Sequence, residues 1–261
     1  MINIINNLDL EDYLINIIKK CYEVLLEKKK LSISYKNDGT PVSNIDKELS
    51  KIICKSLNAY DERVLVISEE KEFLSKDFLA PLYWIIDPID GTKSFIKGGK
   101  EYTINIALIS HGLPVIGLIY HPPSNKLWFG KNNKLFIYHK FIKKEYSPPK
   151  KNWKDPLLIC SRSLDKKTFE FINRLNKKKI IKLSSSLKFC YLSESLANFY
   201  PRLSPISKWD IAAGHAIVRA SGGEVTDLKG KKIMYNYPSE IVKEFIASDT
   251  ENWNNKIKLR I

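Results

Sequence analysis

Trp84-Ile85-Ile86-Asp87-Pro88-Ile89-Asp90-Gly91-Thr92 is an apolar run that ends in two carboxylates three residues apart, with a proline between them and a glycine directly after. Leu82 to Asp87 is rich in β-branched and aromatic residues and predicts a buried strand. The acids then fall at its carboxyl end, the edge where α/β sheets build ligand sites. A rigid turn there offers two carboxylates and the carbonyl of Ile89 from one short piece of backbone, which is the hard oxygen donor set that magnesium takes. If a short helix begins after Asp90, the amides of Gly91 and Thr92 face outward and can bind phosphate oxygens. Asp-Pro and Asp-Gly are also common turn formers, so the spacing alone leaves open a plain turn with an N-cap.

Reading outward, Arg63 to Ser68 predicts a second strand, and Glu69-Glu70 follow it directly. Neighbouring strands would then deliver Glu69 and Asp87 to one sheet edge, while Glu70 reads as a solvated charge. Tyr102 to Ser110 and Pro114 to Tyr120 are further strands, with more around Leu127 and Phe136. Before them, Leu10, Leu14, Ile17, Ile18, Cys21 and Leu25 lie at helical spacing. After a loop around Asp38-Gly39-Thr40-Pro41, Ile45, Leu49, Ile52, Ile53 and Leu57 mark a second helix, with Ser43 as N-cap and Asp46 in the first turn. The lysine- and proline-rich stretch Lys143 to Asp155 is the expected boundary between an N-terminal α+β domain, residues 1–150, and a C-terminal α/β domain, residues 151–261. Beyond it, strands near Leu157 to Cys160, Ile180 to Leu183 and Glu244 to Ser248 alternate with helices near Asp165 to Asn176, Ser186 to Ala197 and Trp209 to Ala220. That alternation is the α/β pattern. Gly222-Gly223 terminates the last of these helices. Asp210 opens it, as a ligand or as an N-cap, and Ala212, Ala213 and Gly214 allow close approach there, for a site or for packing.

Composition narrows the class. With 44% hydrophobic and 11% aromatic residues among 261, the chain can bury a core and is neither disordered nor fibrous. Cys21, Cys54, Cys160 and Cys190 form no CxxC pair, which argues against a zinc site and a disulfide framework and for a reducing cytoplasm. No basic leader and no apolar run of membrane-spanning length is present, so neither export nor a transmembrane span is expected. The net charge of +14 suits phosphorylated small molecules, anionic lipid head groups or polyanions. Much of it is lysine in polar tracts, and no zinc finger, RNP-type motif or helix-turn-helix pattern accompanies it, so no specific nucleic acid is expected. A basic nucleic-acid-binding protein with structural carboxylates is the rival from another class.

Asp87 to Leu108, "DPIDGTKSFIKGGKEYTINIAL", resembles the inositol monophosphatase superfamily and, within it, the 3'(2'),5'-bisphosphate nucleotidase branch. The likeness continues through Asp38 to Asp46, Ile67 to Glu70, Ser185 to Cys190, Tyr200 to Arg202 and Trp209 to Ala216. It implies a layered αβαβα sandwich and a phosphomonoesterase with two or three magnesium ions. Glu69, Asp87, Ile89 (by its carbonyl), Asp90 and Asp210 carry over as metal ligands. Glu69, Ile89, Asp90, Gly91, Thr92 and Asp210 carry over as substrate contacts, and Asp46 and Thr92 as the pair that orients the attacking water. Lys188 and Arg202 could meet a second phosphate by charge pairing, or be surface cations. The implied substrate is a small phosphorylated nucleotide, adenosine 3',5'-bisphosphate from sulfate assimilation, with an inositol or sugar monophosphate as the alternative. Lithium sensitivity follows from the same likeness, as does a cytoplasmic location, in some members at the inner face of the membrane. Ser43 in place of the usual Thr keeps a hydroxyl, and Ser94 replaces a frequent Glu; neither removes a ligand. None of the histidines is assigned catalysis, and His215 reads as a packed helix residue. Oligomeric state is not legible.

Overall fold

The computed structural model describes residues 3–27, 30–144, 146, 153–175, 179–251 and 253. Helix α1 (Leu10–Leu26) is followed by a hairpin of β1 (Ile33–Tyr35) and β2 (Pro41–Ser43), then by α2 (Asn44–Tyr60). The apolar stripe of α1 is buried as its spacing predicts. At the start of α2 the Ser43 hydroxyl accepts from the Asp46 amide, and the Asp46 carboxylate accepts from the Ser43 amide at 3.0 Å. This capping box makes the turn entering α2 rigid.

Next come β3 (Leu65–Ser68), β4 (Leu82–Asp90), α3 (Thr92–Ile96), β5 (Thr103–Ser110), β6 (Leu113–His121), β7 (Lys126–Lys131), β8 (Lys134–His139) and β9 (Ile142–Lys144). These strands form one sheet in sequence order, with β3 parallel to β4 and the later pairs antiparallel. Its central strands β4, β5 and β6 are almost continuously buried because both of their faces are covered. Trp84, Ile86, Ile104 and Ile106 pack against α1 and α2, whereas Tyr83, Ile85, Ala107 and Ile109 belong to the core on the other side.

The chain continues through β10 (Leu158–Cys160), α4 (Lys166–Arg174), β11 (Ile180–Lys182), α5 (Leu187–Ser193), β12 (Phe199–Arg202), β13 (Ile206–Ser207), α6 (Lys208–Ala220), β14 (Glu224–Thr226), β15 (Ile241–Val242) and β16 (Phe245–Ser248). A five-stranded sheet has the order β11-β10-β12-β16-β14. Helices α5 and α6 lie between the two sheets, sharing a core with both. Ile172 of α4 packs with Leu158, Phe199 and Ile246 on the outer face. The result is the expected αβαβα sandwich. The expected boundary stretch falls largely on 145 and 147–152, which lie outside the described residues. Among the described residues no helix is long and apolar enough to cross a membrane.

Among the elements that differ from their sequence expectation, three lie near the site or in the layers around it. Strand β4 runs on through Pro88 to Asp90. Helix α5 stops at Ser193 rather than Ala197, because Ser195 turns left-handed (φ 53°) and Leu196 N bonds back to Tyr191 O at 2.8 Å. The chain from Phe199 to Arg202 is a strand despite Pro201, pairing with β10 and β16. Helix α6 ends as expected. Gly222 N bonds Arg219 O at 3.0 Å and Gly223 N bonds Val218 O at 2.9 Å, a Schellman closure. At Gly214 an added Cβ would lie 2.2 Å from the Phe189 ring, so the small residue serves helix packing.

Candidate active site

Two strand ends and one helix start bring the four acids together. Ser68 pairs with Ile86 in the parallel ladder, and Glu69 N bonds Ile86 O at 3.2 Å, so Glu69 leaves β3 beside Asp87. On β4, three steps from Asp87 to Asp90 oppose two steps from Asn105 to Thr103 on β5. Residues three apart on a regular strand face opposite sides; this one-residue bulge brings both aspartates to the same face. Pro88 has no N–H to leave unpaired there, and Ile89 N bonds Asp87 Oδ1 at 3.0 Å. Asp210 arrives from the other half, in the first turn of α6. The N-cap position belongs to Ser207, and Asp210 is the third residue of the helix, so Asp210 is not its N-cap.

One oxygen from each of Glu69, Asp87 and Asp210 lies within 4.8 Å of the other two. Asp90 adjoins them and accepts from Asn105 Nδ2 at 3.4 Å. Burial is the largest cause that raises all four carboxyls above their ordinary range, Asp87 and Asp210 far above it. Like charge adds to this at Asp87 and Asp210, while Lys36 opposes it at Glu69 and Lys188 at Asp90. Two carboxylate charges within 4.8 Å of each other repel by about 3.5 kcal/mol or more at an effective dielectric of about 20. A divalent cation removes that repulsion, and the oxygen donor set suits one.

Three buried polar side-chain atoms among the described residues have no hydrogen-bond partner: Trp84 Nε1, Asp87 Oδ2 and Arg202 Nε. Two of them belong to this site and differ in sign. Asp87 Oδ2 is an acceptor suited to a cation, and Arg202 Nε a donor suited to an anion.

Thr92 Oγ1 lies 3.1 Å from Asp46 Oδ1 and 2.9 Å from the carbonyl of Ile89. Asp46 therefore both caps α2 and meets Thr92. Gly91 (φ 93°) is the N-cap of α3, which begins where the sequence allowed, and an added Cβ would lie 2.6 Å from Glu101 O.

A pocket of roughly 300 Å³ leads from Asp90 and Asp210 to Lys188, Arg202 and Arg162. Lys188 is buried rather than a surface cation: Nζ donates to Ser185 O at 2.6 Å and Leu183 O at 3.3 Å, and lies 5.3 Å from the Tyr200 ring. Sequence reasoning missed Lys36, whose Nζ bridges Glu69 (2.7 Å) and Glu70 (2.8 Å) from the β1–β2 hairpin, so Glu70 is paired rather than merely solvated. It also missed the Arg162–Glu101 pair. His215 is a core residue bonded to Tyr235 Oη at 3.2 Å, and burial pushes its pKa down to about 3.

A profile of the inositol monophosphatase family matches residues 7–258. The "3'(2'),5'-bisphosphate nucleotidase CysQ" of Buchnera aphidicola is 36% identical over 82% of this chain and 81% of its own length. The crystal structure of CysQ from Bacteroides thetaiotaomicron superposes with a TM-score of 0.73 at 30% identity, covering 90% of this chain and 93% of that one. An IMPase/NADP phosphatase complexed with Mg2+ and phosphate shares the fold, with a TM-score of 0.79 at 20% identity over 96% of this chain and 94% of that one.

Proposed function

This chain belongs to the inositol monophosphatase family, and from that premise we propose that it is a magnesium-dependent 3'(2'),5'-bisphosphate nucleotidase, converting adenosine 3',5'-bisphosphate to AMP and phosphate. Glu69, Asp87, Asp90 and Asp210, with the carbonyl of Ile89, would hold two or three magnesium ions. When bound, the ions supply the positive charge that acidifies a water and offsets the phosphoryl oxygens. The first half of the chain, 1–150, supplies most of these groups, and the second, 151–261, supplies Asp210 and the cationic wall.

The chain's own residues orient the reactants. The Thr92 hydroxyl directs its one proton towards Asp46 Oδ1 and Ile89 O, which leaves its lone pairs to accept a hydrogen bond from the attacking water and orient it. Asp46 is itself locked by Ser43, so this direction is set before substrate arrives. Glu69 faces the same water from the end of β3. The amides of Gly91 and Thr92 receive phosphate oxygens, and Lys188 meets the second phosphate, with Arg202 beside it. The observation that carries this reading is the pair of orphaned buried atoms, Asp87 Oδ2 and Arg202 Nε, because a mixed ligand of metal and doubly phosphorylated nucleotide would satisfy both. All four cysteines are free and buried, in keeping with a cytoplasmic enzyme.

Phosphate release from adenosine 3',5'-bisphosphate and inositol 1-phosphate, with and without magnesium, tests the assignment. The expected result is magnesium-dependent release with a preference of about tenfold or more in kcat/KM for the bisphosphate, equivalent to ~1.4 kcal/mol. A preference for inositol 1-phosphate would replace the substrate assignment. Absence of any magnesium-dependent release would remove the enzyme assignment, and salt-sensitive DNA binding in its place would favour the nucleic-acid rival.

A further inference from the structure

We propose that Arg162 determines specificity in this pocket by contacting the phosphate that the reaction leaves in place, and that Glu101 is the positioning residue that holds it there. The inference rests on the nucleotidase reading above. Glu101 precedes β5 in the first half of the chain, and Arg162 follows β10 in the second. The guanidinium donates to both carboxylate oxygens, with Nε 2.7 Å from Oε2 and Nη2 on Oε1. The same Oε2 accepts from Ser184 N at 2.9 Å. One carboxylate thus ties together the lead-in to β5, the loop after β10 and the turn that carries Ser185 and Lys188 into α5. Its backbone packs closely on the acidic motif as well, since Glu101 O lies 2.6 Å from where a Cβ on Gly91 would sit. The clamp therefore spans the distance between the acidic motif and the cationic wall.

The forked pairing takes two of the five N–H donors of a guanidinium. No other partner for the remaining three exists among the described residues, and Arg162 lines the same pocket as Lys188, Arg202 and Asp90. Because Glu101 offsets its charge, Arg162 selects by the fixed direction of a planar fork, whereas Lys188 and Arg202 contribute attraction. A lysine at 162 has the charge and lacks the fork.

The test compares ligands that differ by the retained phosphate. AMP and adenosine are titrated calorimetrically into the magnesium-loaded full chain, which requires no turnover. In the wild type AMP binds more tightly, and Arg162→Ala is expected to reduce that AMP-to-adenosine preference about tenfold, the effect of losing a charge-assisted hydrogen bond. Arg162→Lys recovers only part of it. Glu101→Gln, which frees the guanidinium without removing it, gives a smaller drop and raises KM for adenosine 3',5'-bisphosphate more than it lowers kcat. Equal losses for AMP and adenosine, full recovery by lysine, or an unchanged preference would each overturn the proposal. If the wild type releases no phosphate yet shows an AMP preference that depends on Arg162, the nucleotidase reading fails, while Arg162 remains a phosphate contact of this pocket.

Discussion

At the acidic end of the pocket, Glu69, Asp87 and Asp90 leave adjacent strands of a sheet covered on both faces. At the cationic end, Lys188 sits on a seven-residue helix, Arg202 on a four-residue strand and Arg162 on a loop. The acids are held by ladder hydrogen bonds and a bulge, so their spacing cannot relax away from mutual repulsion. The cations are held by a few side-chain contacts: Lys188 by two carbonyls, Arg162 by Glu101. A rigid end suits chemistry that every substrate shares, and a locally anchored end suits the choice between substrates. The two ends should therefore respond differently to damage.

The largest effect is expected at the acidic end. Asp90→Asn keeps the side-chain shape and reduces repulsion, so the metal-free protein should melt no lower than the wild type, while turnover falls by on the order of 10²–10³-fold. The loss should appear in kcat for the bisphosphate and for inositol 1-phosphate alike. Normal activity in this variant would remove Asp90 from the site.

A smaller and more selective effect is expected at the cationic end. Lys188→Met should raise KM for the bisphosphate about tenfold, with less effect on inositol 1-phosphate. It should also cost about 1–3 kcal/mol of stability, because the carbonyls of Ser185 and Leu183 lose their donor. Equal losses on both substrates would mean that Lys188 acts through the fold alone, and the division between the two ends would not hold.

The same difference governs how much could be read from the sequence. The strand that carries Asp87 is legible because burial on both faces leaves an unbroken apolar run, and the proline that follows marks the place where the ladder can bulge. Ser43 and Asp46 are legible as a local cap. The grouping of all four acids rests on the family likeness as well, since spacing alone left Asp210 divided between ligand and cap. Lys36 was missed because β1 is three exposed residues with no periodicity. Strand β12 was missed because a proline argues against a central strand, yet Pro201 sits in one. Arg162 and Glu101 are 61 residues apart, and nothing local to either records the other. Only the packing of two sheets around α5 and α6 brings them together.

The smallest expected effect concerns pH, and the two ends should differ in sign. In metal-free protein the Asp87 carboxyl is raised well above its ordinary 3.8 by burial first and by Glu69, Asp90 and Asp210 next. A raised carboxyl binds its proton more readily folded than unfolded, so it destabilises at neutral pH and that cost is recovered as pH falls through the raised value. Glu101 is pulled down from 4.5 to about 2, first by its hydrogen bonds from Arg162. Its contribution is present above 4.5 and is lost as pH falls toward 2. Without magnesium, Asp87→Asn should therefore melt above the wild type at neutral pH, by about 2–4 °C for each kcal/mol of repulsion relieved, and the gap should close on acidification. Glu101→Gln should melt slightly below the wild type, its ion pair being partly exposed, and its gap should close only between pH 4.5 and 2. Each comparison is made against the wild type at the same pH, so the neutral core residue His215 cancels. Added magnesium should reverse the first gap and leave the second in place. If Asp87→Asn melts below the wild type without metal, or if magnesium moves both gaps together, the two ends are energetically one unit.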